Sequence, residues 1–138
     1  MDYSRISIST TDHSRLEPMV RDAIVRGGAP FHLTSALKSK LDHARILPPD
    51  KMPKDVVTMN SIVRLRDLDL DEIEIFTLVY PSFANIAEGC LSILTPIGAA
   101  ILGHRAGDIA ETEIPFGSTR VEIEDVQFQP ESVGQYDV

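Results

Sequence analysis

The apolar spacing changes period once, near Pro53, and that change limits what the chain can fold into. Before it, Leu16, Met19 or Val20, Ala23 and Ile24 recur every three or four residues, and so do Leu37, Leu41 and Ala44. That is the spacing of helices with one buried face. After it, Arg64 and Arg66 alternate with Val63 and Leu65, and Glu122 and Glu124 with Val121 and Ile123, as in strands with one wet face. A chain of 138 residues with 43% apolar content can bury one core of ordinary size. The order predicts an α+β fold, with a short antiparallel helical hairpin over residues 1–50 and, over residues 51–138, a mostly antiparallel sheet carrying one short helix.

In the first part, Ser14 and Glu17 have capping-box spacing, whereas Pro18 costs a backbone hydrogen bond anywhere beyond a first turn. The first helix is therefore expected to start near Ser14 or to bend at Pro18. Arg26-Gly27-Gly28-Ala29-Pro30 ends it with a glycine C-cap signal. The second helix is expected to take Thr34 or Ser35 as N-cap and to stop before Pro48-Pro49. Two helices of about 12 residues give an arm of roughly 18 Å. Its tip carries Gly28, Pro30 and an aromatic candidate contact, Phe31.

In the second part, strands are expected at Val56–Asn60, Ile62–Arg66, Ile73–Tyr80, Ile109–Ile114 and Arg120–Phe128. Between the fourth of these and the third lies "LTPIGAAILGHRAGD", Leu94 to Asp108. Thr95 can cap a short helix and Pro96 can open it, because a proline at the first helical position loses an N–H that has no partner there. Gly98, Ala99 and Ala100 keep its surface shallow, Ile97, Ile101 and Leu102 supply apolar area, and Gly103 can close it. Such a segment serves either as a lid on the sheet or as a docking loop.

Chemistry-bearing patterns are scarce. "DLDLDE", Asp67 to Glu72, begins like a calcium loop, but the sixth position is Glu72 instead of glycine and the twelfth is Leu78 instead of glutamate. A solvated hairpin turn is the expected reading. His13, His32, His43 and His104 share no metal-site spacing, and a single cysteine, Cys90, supplies too few ligands for a structural zinc centre and no partner for an internal disulfide. No metal, cofactor or catalytic residue is expected, and the chain is not read as an enzyme. No apolar run approaches the roughly 20 residues of a membrane span, and Met1 to Arg5 lacks the look of a secretory signal, so a cytoplasmic location is expected. Residues 1–50 hold seven Lys/Arg against six Asp/Glu, net +1, and residues 51–138 hold six against fifteen, net −9. An acidic second part repels phosphate backbones and suits a basic protein partner, so contact with DNA is expected only through another protein.

At these residues a family resemblance enters. "LTPIGAAILGHRAGDIAETEIPFG" resembles the signature of the C-terminal domain of bacterial Gre transcription factors, with Thr95-Pro96 opening the helix, Gly103 to Asp108 leading to a strand, and Pro115-Phe116-Gly117 at the following turn. "MPKDVVTMNSIVRLRDL", Met52 to Leu68, and "TLVYP", Thr77 to Pro81, are similar to a short-armed branch of the same family. The resemblance implies an FKBP-like domain that docks on RNA polymerase near the rim of its secondary channel, and an N-terminal antiparallel coiled coil. On that basis Leu94, Thr95, Pro96 and Ile97 are the expected polymerase contacts. The cleavage-stimulating members carry acids at the coil tip that help hold a catalytic magnesium. This chain has no Asp or Glu between Asp22 and Asp42, and magnesium requires hard oxygen ligands. The implied function is a non-enzymatic transcription regulator that competes with Gre-type factors without stimulating transcript cleavage. A cleavage factor with acids elsewhere, or a peptidyl-prolyl isomerase of the same fold, are the alternatives. Leu94 stands where some members carry an acid, which implies a more apolar contact here. Oligomeric state is left open.

Overall fold

The computed structural model describes residues 5–114 and 117–136. Strand β1, Ser7–Ser9, leads directly into helix α1, Thr10–Arg26. Ser9 is the N-cap, its side chain accepting from the Asp12 N–H, so the cap lies five residues before Ser14. Pro18 lies inside α1. It removes the partner of the Ser14 carbonyl, but both residues are exposed, and water can satisfy that oxygen. Helix α2, Phe31–His43, also starts earlier than expected, with Pro30 as its cap residue. The Pro30 carbonyl accepts from the Leu33 and Thr34 N–H groups, and the Thr34 hydroxyl bonds back to the first turn, so Thr34 is a buried helical residue instead of a cap. Helices of 17 and 13 residues are about 26 and 20 Å long, longer than the expected arm.

Strand β2, Arg45–Leu47, pairs in parallel with β1, a two-stranded clasp across the base of the hairpin whose three-residue strands are too short to carry a periodic signal. The larger sheet has five strands: β3, Ile62–Asp67; β4, Glu72–Val79; β5, Cys90–Ser92; β6, Ile109–Ile114; and β7, Gly117–Phe128. Their order is β5-β4-β3-β7-β6, antiparallel except for β4 and β5. Register shifts between β3 and β7 at Ile62/Val63 and Arg64/Leu65 add local twist and curl the sheet. On its outer face Glu124 pairs with Arg64 and Arg66, and Arg66 also with Asp71. The turn from β3 to β4 is the solvated hairpin turn, organised by the Asp67 carboxylate, which accepts from the Asp69 and Leu70 N–H groups. The Pro115-Phe116 part of the last hairpin lies outside the described residues.

Val56–Asn60 is not a strand. Val56, Val57, Thr58 and Met59 are all buried, which a pleated strand with one wet face cannot achieve, and Asn60 turns at φ 67°. The segment instead pairs with the loop after the short helix: the Val57 N–H donates to His104 and its carbonyl accepts from Gly103. Within it, the Thr58 hydroxyl donates to Glu131 at 2.7 Å, and the Gln129 amide donates to Pro53 and Val56, which ties in the C-terminal segment.

One continuous apolar core joins the two halves of the chain, running from Ile6, Leu16, Val20, Leu37 and Leu41 to Val63, Leu65, Leu78, Val121 and Ile123. Two buried ionisable side chains cross it. Asp12, on the apolar face of α1 and 4% exposed, accepts from the Met59 N–H at 3.0 Å. Lys40, on the apolar face of α2 and 5% exposed, donates from Nζ to the carbonyls of Ala99 at 2.8 Å, Ala100 at 2.9 Å and Leu102 at 2.9 Å. These oxygens lie at the end of a short helix, whose partial negative charge favours the ammonium. Burial pulls the Lys40 pKa down to about 7; the three acceptors favour the charged form, which alone supplies three donors.

Two outcomes are expected. Lys40→Met keeps the stem volume but strips three carbonyls of a charged donor, and should cost about 3 kcal/mol in urea unfolding; an unchanged midpoint would show that water replaces the ammonium. Burial, reinforced by nearby Glu131, raises the Asp12 pKa to about 7 from 3.8, while Met59 N–H and Arg15 act in the opposite direction. The folded chain therefore holds a proton that the unfolded chain releases, so the Asp12 contribution is full below about pH 4 and is lost as pH rises through 7. Asn can keep the Met59 bond without titrating. Between pH 5 and pH 8 the wild type should lose more stability than Asp12→Asn, and parallel profiles would refute this assignment.

Candidate functional site

The short helix α3, Pro96–Ile101, sits on the inner side of the sheet beside β6 and α2. Its entrance is built by local hydrogen bonds. The Ser92 hydroxyl accepts from the Leu94 N–H at 3.0 Å, the Thr95 hydroxyl donates to the Ser92 carbonyl at 2.7 Å, and the same hydroxyl accepts from the Gly98 N–H at 3.1 Å. Thr95 is thus the N-cap and Pro96 occupies the first turn, as the sequence leads one to expect. A Cβ at Gly98 would run into the Ser92 carbonyl, so glycine is required for this close approach of helix and loop.

At the other end, Gly103 has φ 83°, and a Cβ there would strike the Ile6 side chain. Its carbonyl accepts from the Ser7 N–H at 3.2 Å. The glycine therefore lets β1 lie against the end of α3, while Lys40 holds the same end from the other side. Leu94, Thr95, Pro96 and Ile97 are all half-buried. Leu94 and Ile97 lean on the core, so each serves the packing and still presents part of its surface.

Beside this loop runs a groove of about 550 Å³ between α2, α3 and β6. Its walls are largely apolar, with small residues at Ala36 on α2, Ala99 and Ala100 on α3 and Ala110 on β6, larger ones at Leu33 and Leu37, and Lys40, Pro96 and His32 also on its lining. His104 lies against it, its Nδ1 3.2 Å from Asp108. Burial and then the Lys40 charge push His104 below its ordinary pKa.

The arm tip is a separate feature. Gly27 takes the left-handed conformation at φ 72°, and the N–H groups of Gly27 and Gly28 both donate to Ala23. Pro30 follows, and Phe31 opens α2 with 71% of its surface exposed, projecting instead of folding onto its own hairpin; Val25, on the last turn of α1, is 80% exposed. The acids nearest the tip are engaged: Asp22 pairs with Arg26 at 2.7 Å and Asp42 with Lys38 at 2.8 Å. The contact with Lys38 holds Asp42 below the usual carboxylate range. The structure brings Leu94, Thr95, Pro96 and Ile97 into one loop and its helix. Gly28, Pro30 and Phe31 stay apart from that groove, whose lining on α2 begins at the next residue, His32.

Lys40 and Asp12 were not anticipated as site-building residues. A signal was present, since Lys40 stands three residues after Leu37 and Asp12 four before Leu16, both in register with a buried stripe. Among the described residues no group of three or more His, Cys, Asp or Glu is placed to hold a metal ion. Among them, too, no helix is long and apolar enough to cross a membrane. Cys90 is half-buried at the start of β5.

Residues 52–128 match the family model described as "Transcription elongation factor, GreA/GreB, C-term". The "Regulator of nucleoside diphosphate kinase" of Escherichia coli is 37% identical over 137 residues, covering 99% of this chain and 98% of that protein. The "Transcription elongation factor GreA" of Alkaliphilus oremlandii is 38% identical over 87 residues, 63% of this chain but only 55% of that longer protein. Among solved structures, "Prokaryotic transcription elongation factor GreA/GreB from Nitrosomonas europaea" superposes with a TM-score of 0.72 at 36% identity, over 90% of this chain and 98% of that one. The likeness to the Escherichia coli regulator spans helices, clasp and sheet alike, whereas the GreA match covers less of the chain. The chain belongs to the GreA/GreB family.

Proposed function

We propose that this chain is a non-enzymatic, cytoplasmic regulator of transcription that binds RNA polymerase near the rim of the secondary channel and competes there with Gre-type factors. In this reading residues 51–138 form an FKBP-like docking domain and residues 1–50 a short coiled-coil arm. Leu94, Thr95, Pro96 and Ile97 make the contact. The Ser92–Thr95–Gly98 hydrogen bonds support it, because they hold that loop in one shape before any partner arrives, which lowers the ordering cost of binding. The net charge of −9 over residues 51–138 favours a basic docking surface and speeds encounter with it.

The observation that carries the regulatory reading is the exposed, acid-free tip. Between Asp22 and Asp42 no carboxylate is available, and these two flanking acids are already paired with Arg26 and Lys38. A tip of Arg26, Gly28, Pro30 and Phe31 can fill space in a channel but offers no hard oxygen ligands to a magnesium ion. Occupancy without cleavage is what such chemistry provides.

Binding to purified core polymerase, with and without a competing Gre factor, tests the reading. The wild type should be retained and displaced competitively, and should not raise RNA cleavage in backtracked complexes. Pro96→Glu and Ile97→Glu should weaken retention by about tenfold or more, roughly 1.4 kcal/mol, at a temperature where both remain folded; the thermal midpoint should fall only for Ile97→Glu, whose side chain also leans on the core. Full retention by both variants would remove this surface, and cleavage that rises with added protein would overturn the argument from the tip.

A further inference from the structure

Strand β6 is the last strand of the five-stranded sheet, and among the described residues none pairs with its outer edge. Its own pairing is with β7 alone, from Ile109↔Glu122 to Ile114↔Gly117. Beyond that edge lies the groove, with Ile109 to Glu113 forming one wall. A row of backbone donors and acceptors beside an apolar trough is the arrangement to which an extended peptide adds as a strand. The trough is also of suitable size, since its volume of about 550 Å³ lies within the range of ligand sites.

The two faces of β6 define what would fit. Ala110 and Thr112 are directed to the inner side, where α3 packs, and the opposite groove walls Ala36, Ala99 and Ala100 leave room for modest apolar side chains. Ile109, Glu111 and Glu113 face outward, with Ile109 55% exposed. An added strand would set alternate side chains beside Glu111 and Glu113, where opposite charge is favoured and like charge is not. A second copy of this chain fits poorly: antiparallel pairing of two β6 strands about Thr112 would put Glu111 of each copy opposite Glu113 of the other. The acids guard the edge against self-association and leave it open to a basic strand.

We propose that the outer edge of β6 is a strand-addition site for an extended segment of a protein partner in which Lys or Arg alternates with small apolar residues. The site uses main-chain hydrogen bonds for affinity, the Ala36–Ala99–Ala100 trough for the apolar positions, and Glu111 and Glu113 for the basic ones. It is independent of the polymerase reading and is tested without polymerase.

The probe is a fluorescein-labelled peptide, acetyl-Arg-Val-Lys-Ala-Arg-Val-Lys-Ala-amide, titrated by anisotropy against the whole chain, with backbone N-methylation at alternate residues as the control. N-methylation leaves charge and side chains in place but removes the main-chain donors. The unmodified peptide should bind. N-methylation, the double variant Glu111→Lys/Glu113→Lys, and Ala36→Phe at the mouth of the trough should each weaken binding about tenfold or more, and alternate β6 amides should slow in hydrogen exchange only with peptide present. Equal binding of the N-methylated peptide would reduce the site to charge attraction and overturn the proposal. So would absence of binding at millimolar peptide, or uniform protection of the β6 amides in the free chain, which would mean that a second copy or the chain itself already covers the edge.

Discussion

A single ammonium group organises the molecule. Lys40 reaches from the last turn of α2, near the base of the arm, into the end of α3 and satisfies three carbonyl oxygens there. Helix α3 has six residues, too few to be stable alone, and its last carbonyls have no helical partners. In capping that end, Lys40 stabilises α3 and attaches α2 to it in one contact. The cost is a buried charge, repaid only because all three donors are used.

The arm is consequently part of the body. Asp12 fixes α1 to the Met59 backbone, the β1–β2 clasp closes the hairpin base, and Gly103 lets that clasp lie against the end of α3. Leu16, Val20, Leu37 and Leu41 belong to the same core as Val63 and Ile123. A core shared in this way sets where the tip lies relative to the loop at Thr95 and Pro96. It also creates the groove, because α2, α3 and the edge of β6 are held side by side, with the small side chains of Ala36, Ala99, Ala100 and Ala110 among those lining the space between them.

Much of this was legible locally. The strands at Ile62, Ile73 and Ile109 and most of β7 follow from alternation, and the Thr95-Pro96 helix start follows from capping chemistry, because each depends on residues a few positions apart. What escaped detection is non-local. Strands β1 and β2 have three residues each, and Ser7 lies opposite Arg45 across the whole hairpin, so neither carries a periodic signal. Val56–Asn60 has the composition of a strand, but burial on all sides at Val56 to Met59 and the turn at Asn60 replace pleating with a packed loop. Ser9 displaced Ser14 as the first cap because α1 begins where β1 ends, and Pro18 is tolerated because it faces water.

The amino-acid sequence by itself determined the division into helices and then sheet, the rigid turn at Thr95 and Pro96, the acidity of the second part and the absence of carboxylates at the arm tip. These properties reside in residue identity and short spacing, so no fold is needed to read them. Only the tertiary structure decided that a lysine and an aspartate would be buried as fasteners, that Gly98 and Gly103 would be required by close backbone approach, and that one edge of the sheet would open onto an apolar groove. Each depends on which distant groups face one another across the core, and a charge is held in the interior only where the folded chain supplies hydrogen-bond partners for it.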